Sequence, residues 1–271
     1  MTSFDNAVPI VNQPFLYING MQVSNDATTP NTILDVAAGI CRDSTNTYDI
    51  NLGNFNGQQN GQTANSVTLI NSANVGLNGI DTGTFAEATL YYVYVVGDAV
   101  SGNQTGCMIS LAQPSVGPLM PYGYNVYRHV GYGVTISNAA HFLLAYSSGN
   151  NNARKFFYDA VQSVGTTASS ASLAAINLTK WVPLVNNIPV WLAVSFSGTA
   201  NDTLTLQPGA ASASGNAVVM TAQVTSQALT ANVLVQSQNT LISSVLSPTI
   251  NYKNSGTDTV AISVAGFEFY I

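Results

Sequence analysis

Residues 90–97 read Leu-Tyr-Tyr-Val-Tyr-Val-Val-Gly. Successive side chains of a strand point to opposite faces, and here large apolar groups stand at odd and even positions alike. Such a run predicts a strand covered on both sides. It falls far short of the roughly 20 residues that a membrane-crossing helix needs. The other long apolar run, 139–146, carries His141 and is equally short.

Outward from this strand, period-2 alternation and β-branched or aromatic runs predict further strands. They fall at 33–36, 48–52, 67–70, 89–96, 108–111, 134–137, 142–146, 190–196, 203–206, 218–224, 233–236, 241–246, 249–252, 259–264 and 267–271. Asn-Gly pairs at 19–20, 56–57, 60–61 and 78–79 favour the positive φ of tight turns. The first pair predicts a hairpin joining 15–18 to 21–23. Helix is expected only as a few turns over 154–161 and 169–178. Short, closely spaced strands with turn residues between them predict an all-β chain. We expect an antiparallel β-sandwich, jelly-roll-like, over residues 85–271, preceded by an acidic, hairpin-rich region over residues 1–84. The closing strand alternates Phe267, Phe269 and Ile271 inward, which pairs it into an existing sheet.

Only 7% of the residues are charged, against about 25% in soluble domains. Six basic residues cannot neutralise a run of phosphates, which excludes a nucleic-acid groove. No basic amphipathic helix is available to hold the chain on anionic lipid, so no membrane insertion is expected. With 46% hydrophobic residues, 13 Tyr and 10 Phe, the composition is that of a folding chain. The charged coat of a free monomer is missing, so a surface covered by copies of itself or by partners is expected. Charge is also uneven: residues 1–100 hold eight of the 12 acidic groups and one of the six basic ones. Met1-Thr2-Ser3-Phe4-Asp5 has no basic n-region, so synthesis in a cytoplasm without a secretory signal is expected. Cys41 and Cys107 fit no metal or CxxC spacing and are expected to be two separate buried thiols.

Asp81-Thr82-Gly83 is the tripeptide of aspartic proteases, in which a carboxylate shares a proton with a second one. It occurs once, lacks the preceding apolar strand and is followed by Thr84, so a structural turn is the better reading. His129 and His141 both lie in strand-like surroundings without a nucleophile elbow, where a hydrogen-bonded structural histidine outweighs a catalytic one. Asp43, Asp49, Asp81, Asp98, Asp159 and Asp202 have no metal-loop spacing, and no phosphate-cradling motif is present. No enzyme activity, metal or cofactor is expected. Tyr91, Tyr92 and Tyr94, with Tyr122, Tyr124, Tyr127 and Tyr132, could stack on sugar faces. For these tyrosines, core or subunit interface outweighs a glycan site.

The order of segments carries a further signal. Cys41-Arg42-Asp43-Ser44-Thr45-Asn46 is followed by Gly76-Leu77-Asn78-Gly79-Ile80-Asp81-Thr82-Gly83, the Tyr/Val strand, and Met108-Ile109-Ser110-Leu111. Then come Gly117-Pro118-Leu119-Met120-Pro121-Tyr122-Gly123-Tyr124 and Tyr127-Arg128-His129-Val130-Gly131. This succession resembles virion structural proteins of tailed bacteriophages, particularly small fibre, collar and head-decoration proteins. The resemblance covers roughly residues 35–145 and returns in the closing Gly-Phe-x-Phe element. It implies a structural virion component, a symmetric homo-oligomer with a trimer favoured, and contact with capsid, portal or tail proteins, for which residues 1–84 are the expected virion-attachment region. On it, Asp81-Thr82-Gly83 belongs to a structural turn. The alternative is a receptor-binding module that recognises host-surface polysaccharide through Tyr122, Tyr124, Tyr127 and Tyr132.

Overall fold

The computed structural model describes residues 17–53, 68–99, 104–134, 142, 145–150, 153–167, 172–185, 187–209, 217–223, 227–242, 245–256 and 260–270. It is an all-β protein with antiparallel sheets, and no helix occurs among the described residues. The chain divides into two compact units, one running up to Arg154 and the other spanning Lys155–Phe269. The division expected from the sequence falls between residues 84 and 85. Instead 85–154 belongs with the residues before it, because the Tyr/Val strand supplies one wall of the core that the N-terminal strands close.

The first unit holds β1 (Ile18–Gly20), β2 (Val23–Asn25), β3 (Ile33–Val36), β4 (Gly39–Arg42), β5 (Asp49–Leu52), β6 (Thr68–Asn71), β7 (Leu90–Gly97), β8 (Thr105–Ser110), β9 (Val126–Val134) and β10 (Ala145–Asn150). They form sheets in the orders β1-β4-β5, β10-β2-β3-β6 and β8-β7-β9. Ile18, Val23, Leu34, Ile50 and Ile70 meet Tyr91, Val93, Val95, Ile109 and Val130 in one buried cluster. Cys41 and Cys107 lie in that cluster as free thiols. Burial pushes the Cys41 thiol up to about 12.

The expected hairpin at Asn19-Gly20 is not there: β1 pairs with β4, and β2 with β3. The register runs unbroken from Ile18↔Cys41 through Gly20↔Gly39 to Val23↔Val36 and Asn25↔Leu34. Met21 N–H and Ala37 N–H bridge the gap by donating to Ala38 and Gln22 carbonyls. This is one long ribbon, bent at Gly20 and Met21, which take φ of 75° and 56°. A Cβ on Gly20 would stand 2.3 Å from the Ala38 carbonyl oxygen, so the close crossing requires glycine. The true turn is 26–32, where Asp26 Oδ1 accepts from Thr28 N–H, Thr29 N–H and the Thr29 hydroxyl.

In the second unit lie β11 (Ala153–Thr167), β12 (Ala174–Asn177), β13 (Ile188–Gly198), β14 (Thr203–Pro208), β15 (Val218–Thr221), β16 (Gln227–Ile242), β17 (Val245–Asn254) and β18 (Val260–Tyr270). The first and last of these reach a residue or two past its limits. The strand order is β15-β14-β17-β16-β13-β18-β11, with β12 on β17. Ile188, Val190, Leu192, Val194 and Phe196 of β13 are buried, and Ile262, Val264 and Phe267 of β18, in register beside them, continue that buried face. Phe156 stacks on Phe267 with ring centroids 5.0 Å apart.

Both expected helical segments are strands where described. In β11, Arg154, Phe156 and Tyr158 are buried while their neighbours are not, a period of two that overrides the helix propensity of Arg, Lys and Ala. Residues 174–177 are β12, paired with Tyr252–Thr249 of β17. The two expected strands at 259–264 and 267–271 merge into β18 through a register shift opposite Trp191/Leu192, which absorbs Ala265. Of the expected strand at 134–137 only Val134, the last residue of β9, is described, and of the 142–146 expectation only Phe142 and the start of β10 are.

Candidate functional site

β7 presents Tyr91, Val93 and Val95 to the core and Tyr92, Tyr94 and Val96 to the opposite face, all buried. The second face is an aromatic box. The His129 ring lies 5.5 Å from Tyr92, 5.8 Å from Tyr94 and 4.9 Å from Tyr132 between centroids. Its Nε2–H donates to the Gly131 carbonyl at 2.9 Å. Burial pushes His129 down to about 3, with Arg128 and Arg154 adding to the effect against the Gly131 bond. The ring is thus enclosed by three tyrosines, held by a backbone carbonyl and kept neutral by its burial. His141 lies outside the described residues.

Over this box runs the connection 111–125, fixed at several points. The Tyr94 hydroxyl donates to the Ala112 carbonyl at 2.5 Å, and Ala112 N–H donates to Ser110 Oγ at 2.9 Å. Asp81 Oδ2 accepts from the Ser110 hydroxyl at 2.7 Å and from Leu119 N–H at 2.9 Å, while Oδ1 accepts from Thr82 N–H at 2.8 Å. The Asp-Thr-Gly triplet is therefore a staple between β8 and the far end of the loop. Gly117, at φ 81°, lies under the Tyr127 ring, where an added Cβ would stand 2.3 Å from Cζ. Tyr124 N–H donates to Pro121 at 3.1 Å with Gly123 at φ 86°, a tight turn of the type that requires glycine at its third position.

Beside Gln113, Ser115 and Asn125, this fixed loop turns large apolar groups to solvent. Leu111, Val116 and Leu119 are 56%, 76% and 63% exposed, and Tyr122 is fully exposed. No charged residue occurs in 111–125. Large exposed apolar groups on a pinned backbone form a surface whose ordering cost is already met, which favours association.

The tyrosines singled out in the sequence separate. Tyr122 crowns the loop, and Tyr124 is half-buried with its hydroxyl pushed up by burial. Tyr127 is half-buried against Gly117 and edge-on to Tyr94 at 5.8 Å. Tyr132 is buried in the box. Of the four, Tyr122 is exposed, Tyr124 and Tyr127 are half-buried and Tyr132 is buried. Leu111, Val116 and Leu119 were not singled out, although the uncharged run between Pro114, Pro118 and Pro121 marks them.

No family model, curated protein or solved structure matches this chain.

Other acidic groups serve turns as Asp81 does. Asp43, in the Cys41–Asn46 motif, accepts from Thr47 and Tyr48 N–H at Oδ1 and from Thr45 N–H and hydroxyl at Oδ2. Burial raises its carboxyl, but the bonds from Thr45, Tyr48 and Thr47 outweigh that and hold it below the ordinary value. Arg42 Nε pairs with Asp49 at 3.0 Å across the same hairpin. Among the described residues no group of three or more His, Cys, Asp or Glu side chains converges as a metal site.

Proposed function

We propose that this chain is a structural component of a tailed-phage virion, a fibre, collar or head-decoration protein that assembles on the particle as a symmetric oligomer. The phage assignment rests on the succession of segments from Cys41 to Gly131. The observation that carries a structural role is the pinned, uncharged loop 111–125 with Leu111, Val116, Leu119 and Tyr122 turned to solvent. On this reading the first unit, with that loop, contacts a neighbouring capsid, portal or tail protein. Leu119→Asp keeps the Asp81 bond, which uses backbone, and should reduce incorporation into purified particles at least tenfold by quantitative mass spectrometry. Wild-type chain absent from purified particles would refute the proposal.

Full exposure of Tyr122 beside Tyr124 supports the second reading, recognition of host-surface polysaccharide. Tyr122→Ala should then abolish binding of the chain to that polysaccharide, whereas equal binding by the variant removes the reading.

A further inference from the structure

A sheet edge left open is a template for another strand, and proteins ordinarily blunt it with lysine, proline, bulges or covering chain. In the first unit the β8-β7-β9 sheet does so. The β8 edge is closed by Asn78 N–H to Cys107, Ile109 N–H to Gly79 and Asp81 N–H to Ile109. Tyr127 of β9 accepts from Ser44 N–H, and Val130 from Arg154.

β16 in the second unit is different. Its residues Gln227–Ser237 pair with β13, whereas β17 joins only from Gln238 onward. Ser237 carbonyl accepts from Asn187 N–H on the β13 side. Antiparallel backbone groups alternate in direction, so those of Ala228, Thr230, Asn232, Leu234 and Gln236 point away from β13. Among the described residues no strand pairs with that side of 227–237. The segment has no lysine, proline, glycine or charge, and no charged residue occurs anywhere in 203–252. Beside the edge, the solvent face is a shallow depression lined by Ala193, Ser195, Thr230, Asn232, Ala261 and Ser263.

We infer that the open edge of β16 is a self-association site, pairing antiparallel with β16 of a second copy across a two-fold axis centred near Asn232. This rests on the reading of the chain as a symmetric oligomer and makes its contact a two-fold one, a dimer in place of the trimer that the resemblance favours. Charge selects the occupant. A partner strand bearing Lys, Asp or Glu would lay its charges against a surface with none to answer them and lose their hydration, whereas a second copy is equally uncharged. The two-fold places Asn232 opposite Asn232 and Thr230 opposite Leu234, and it satisfies the five outward residues of both copies with about ten backbone hydrogen bonds. Such an isologous contact closes on itself and leaves no further edge to propagate.

The test is the solution mass of the full chain at micromolar concentration by sedimentation velocity. Wild type should exceed the 28.3 kDa of one chain, and Thr230→Lys combined with Asn232→Lys should halve its mass. Both side chains are exposed, so folding is preserved, and unchanged tryptophan fluorescence checks that. Asn232→Pro, which removes one outward N–H without adding charge, should act in the same direction. A wild-type oligomer whose mass neither variant changes overturns the β16 contact while leaving an oligomer. A wild-type monomer overturns both the contact and the oligomer on which it rests.

Discussion

The two units solve the same problem, holding antiparallel strands in register, by different means. In the first, strands of three to nine residues are fixed by polar side chains that reach across turns. Asp26, Asp43 and Asp81 each gather several donors, and Ser147 Oγ both donates to and accepts from the Val23 backbone. Arg154, buried without an acidic partner among its bonds, donates to the Gly20, Met21 and Val130 carbonyls. The second unit uses long strands. β13 pairs with β16 over 11 consecutive residues, and among its described turns Asp202, receiving Thr199 N–H and hydroxyl, is an isolated aspartate staple. Asp26, Asp43 and Asp81 of the acidic N-terminal part thus serve turns, while Asp35 and Asp49 lie in β3 and β5, and the first unit depends on polar side chains where the second depends on strand length. Both tryptophans, Trp181 and Trp191, lie in the second unit, so their fluorescence reports on it alone.

The contrast breaks most sharply at Arg154. Arg154→Met leaves three carbonyls without their donor, at about 1–3 kcal/mol for each buried acceptor. Unfolding followed by tyrosine near-ultraviolet dichroism should shift by about 4 kcal/mol, while the tryptophan transition stays in place. A common shift of both signals would show that the units do not differ in this way.

Acid should separate the units next. His129 is held to about 3 when folded and returns to about 6.5 in the unfolded chain. The unfolded state therefore binds the proton first, and stability falls by about 1.4 kcal/mol per pH unit between these values. Asp43, lowered in the fold, loses its contribution in the same direction as pH falls, while Asp35 and Asp49, raised by burial, oppose it in part. Near pH 4.5 the first unit should be weaker by about 3 kcal/mol, with tryptophan fluorescence barely altered. Loss of the second unit first in an acid titration would reverse the comparison.

Asp81→Asn sharpens it at the level of one loop. The amide keeps the shape but gives up charge-assisted bonds to Ser110 and Leu119, a cost of about 2 kcal/mol. Hydrogen exchange should accelerate across 111–125 and remain unchanged in β13. Equal protection of the loop in the variant would show that Tyr94 and Gly117 suffice to pin it.

How much of this was legible in the sequence depended on the range of the interaction. The doubly buried β7 could be read because the cause, large groups at both parities, is contained in eight residues. The turn residues Asn19-Gly20 misled because a local preference for positive φ says nothing about which strand lies opposite. In β11 the Arg-Lys-Phe-Phe-Tyr sequence suits either period, and only burial of Arg154, Phe156 and Tyr158 on one face decides between them. The role of Asp81 was half visible as a turn, but its bond to Leu119, 38 residues away, is a property of the fold. The open β16 edge could not be read at all, since the strand itself looks like its neighbours until β17 departs from it.

The bent ribbon of residues 18–25 and 34–41 has a consequence for which length changes the chain tolerates. One register serves two sheets, β1-β4-β5 and β10-β2-β3-β6. A residue added in the 26–32 turn leaves every pair between the arms intact. The same residue added at Met21 or Ala38 would turn the inward side chains of one sheet to its other face while leaving the second sheet correct. The turn is thus a place where the length of this chain can drift, and the bend is one where it is locked.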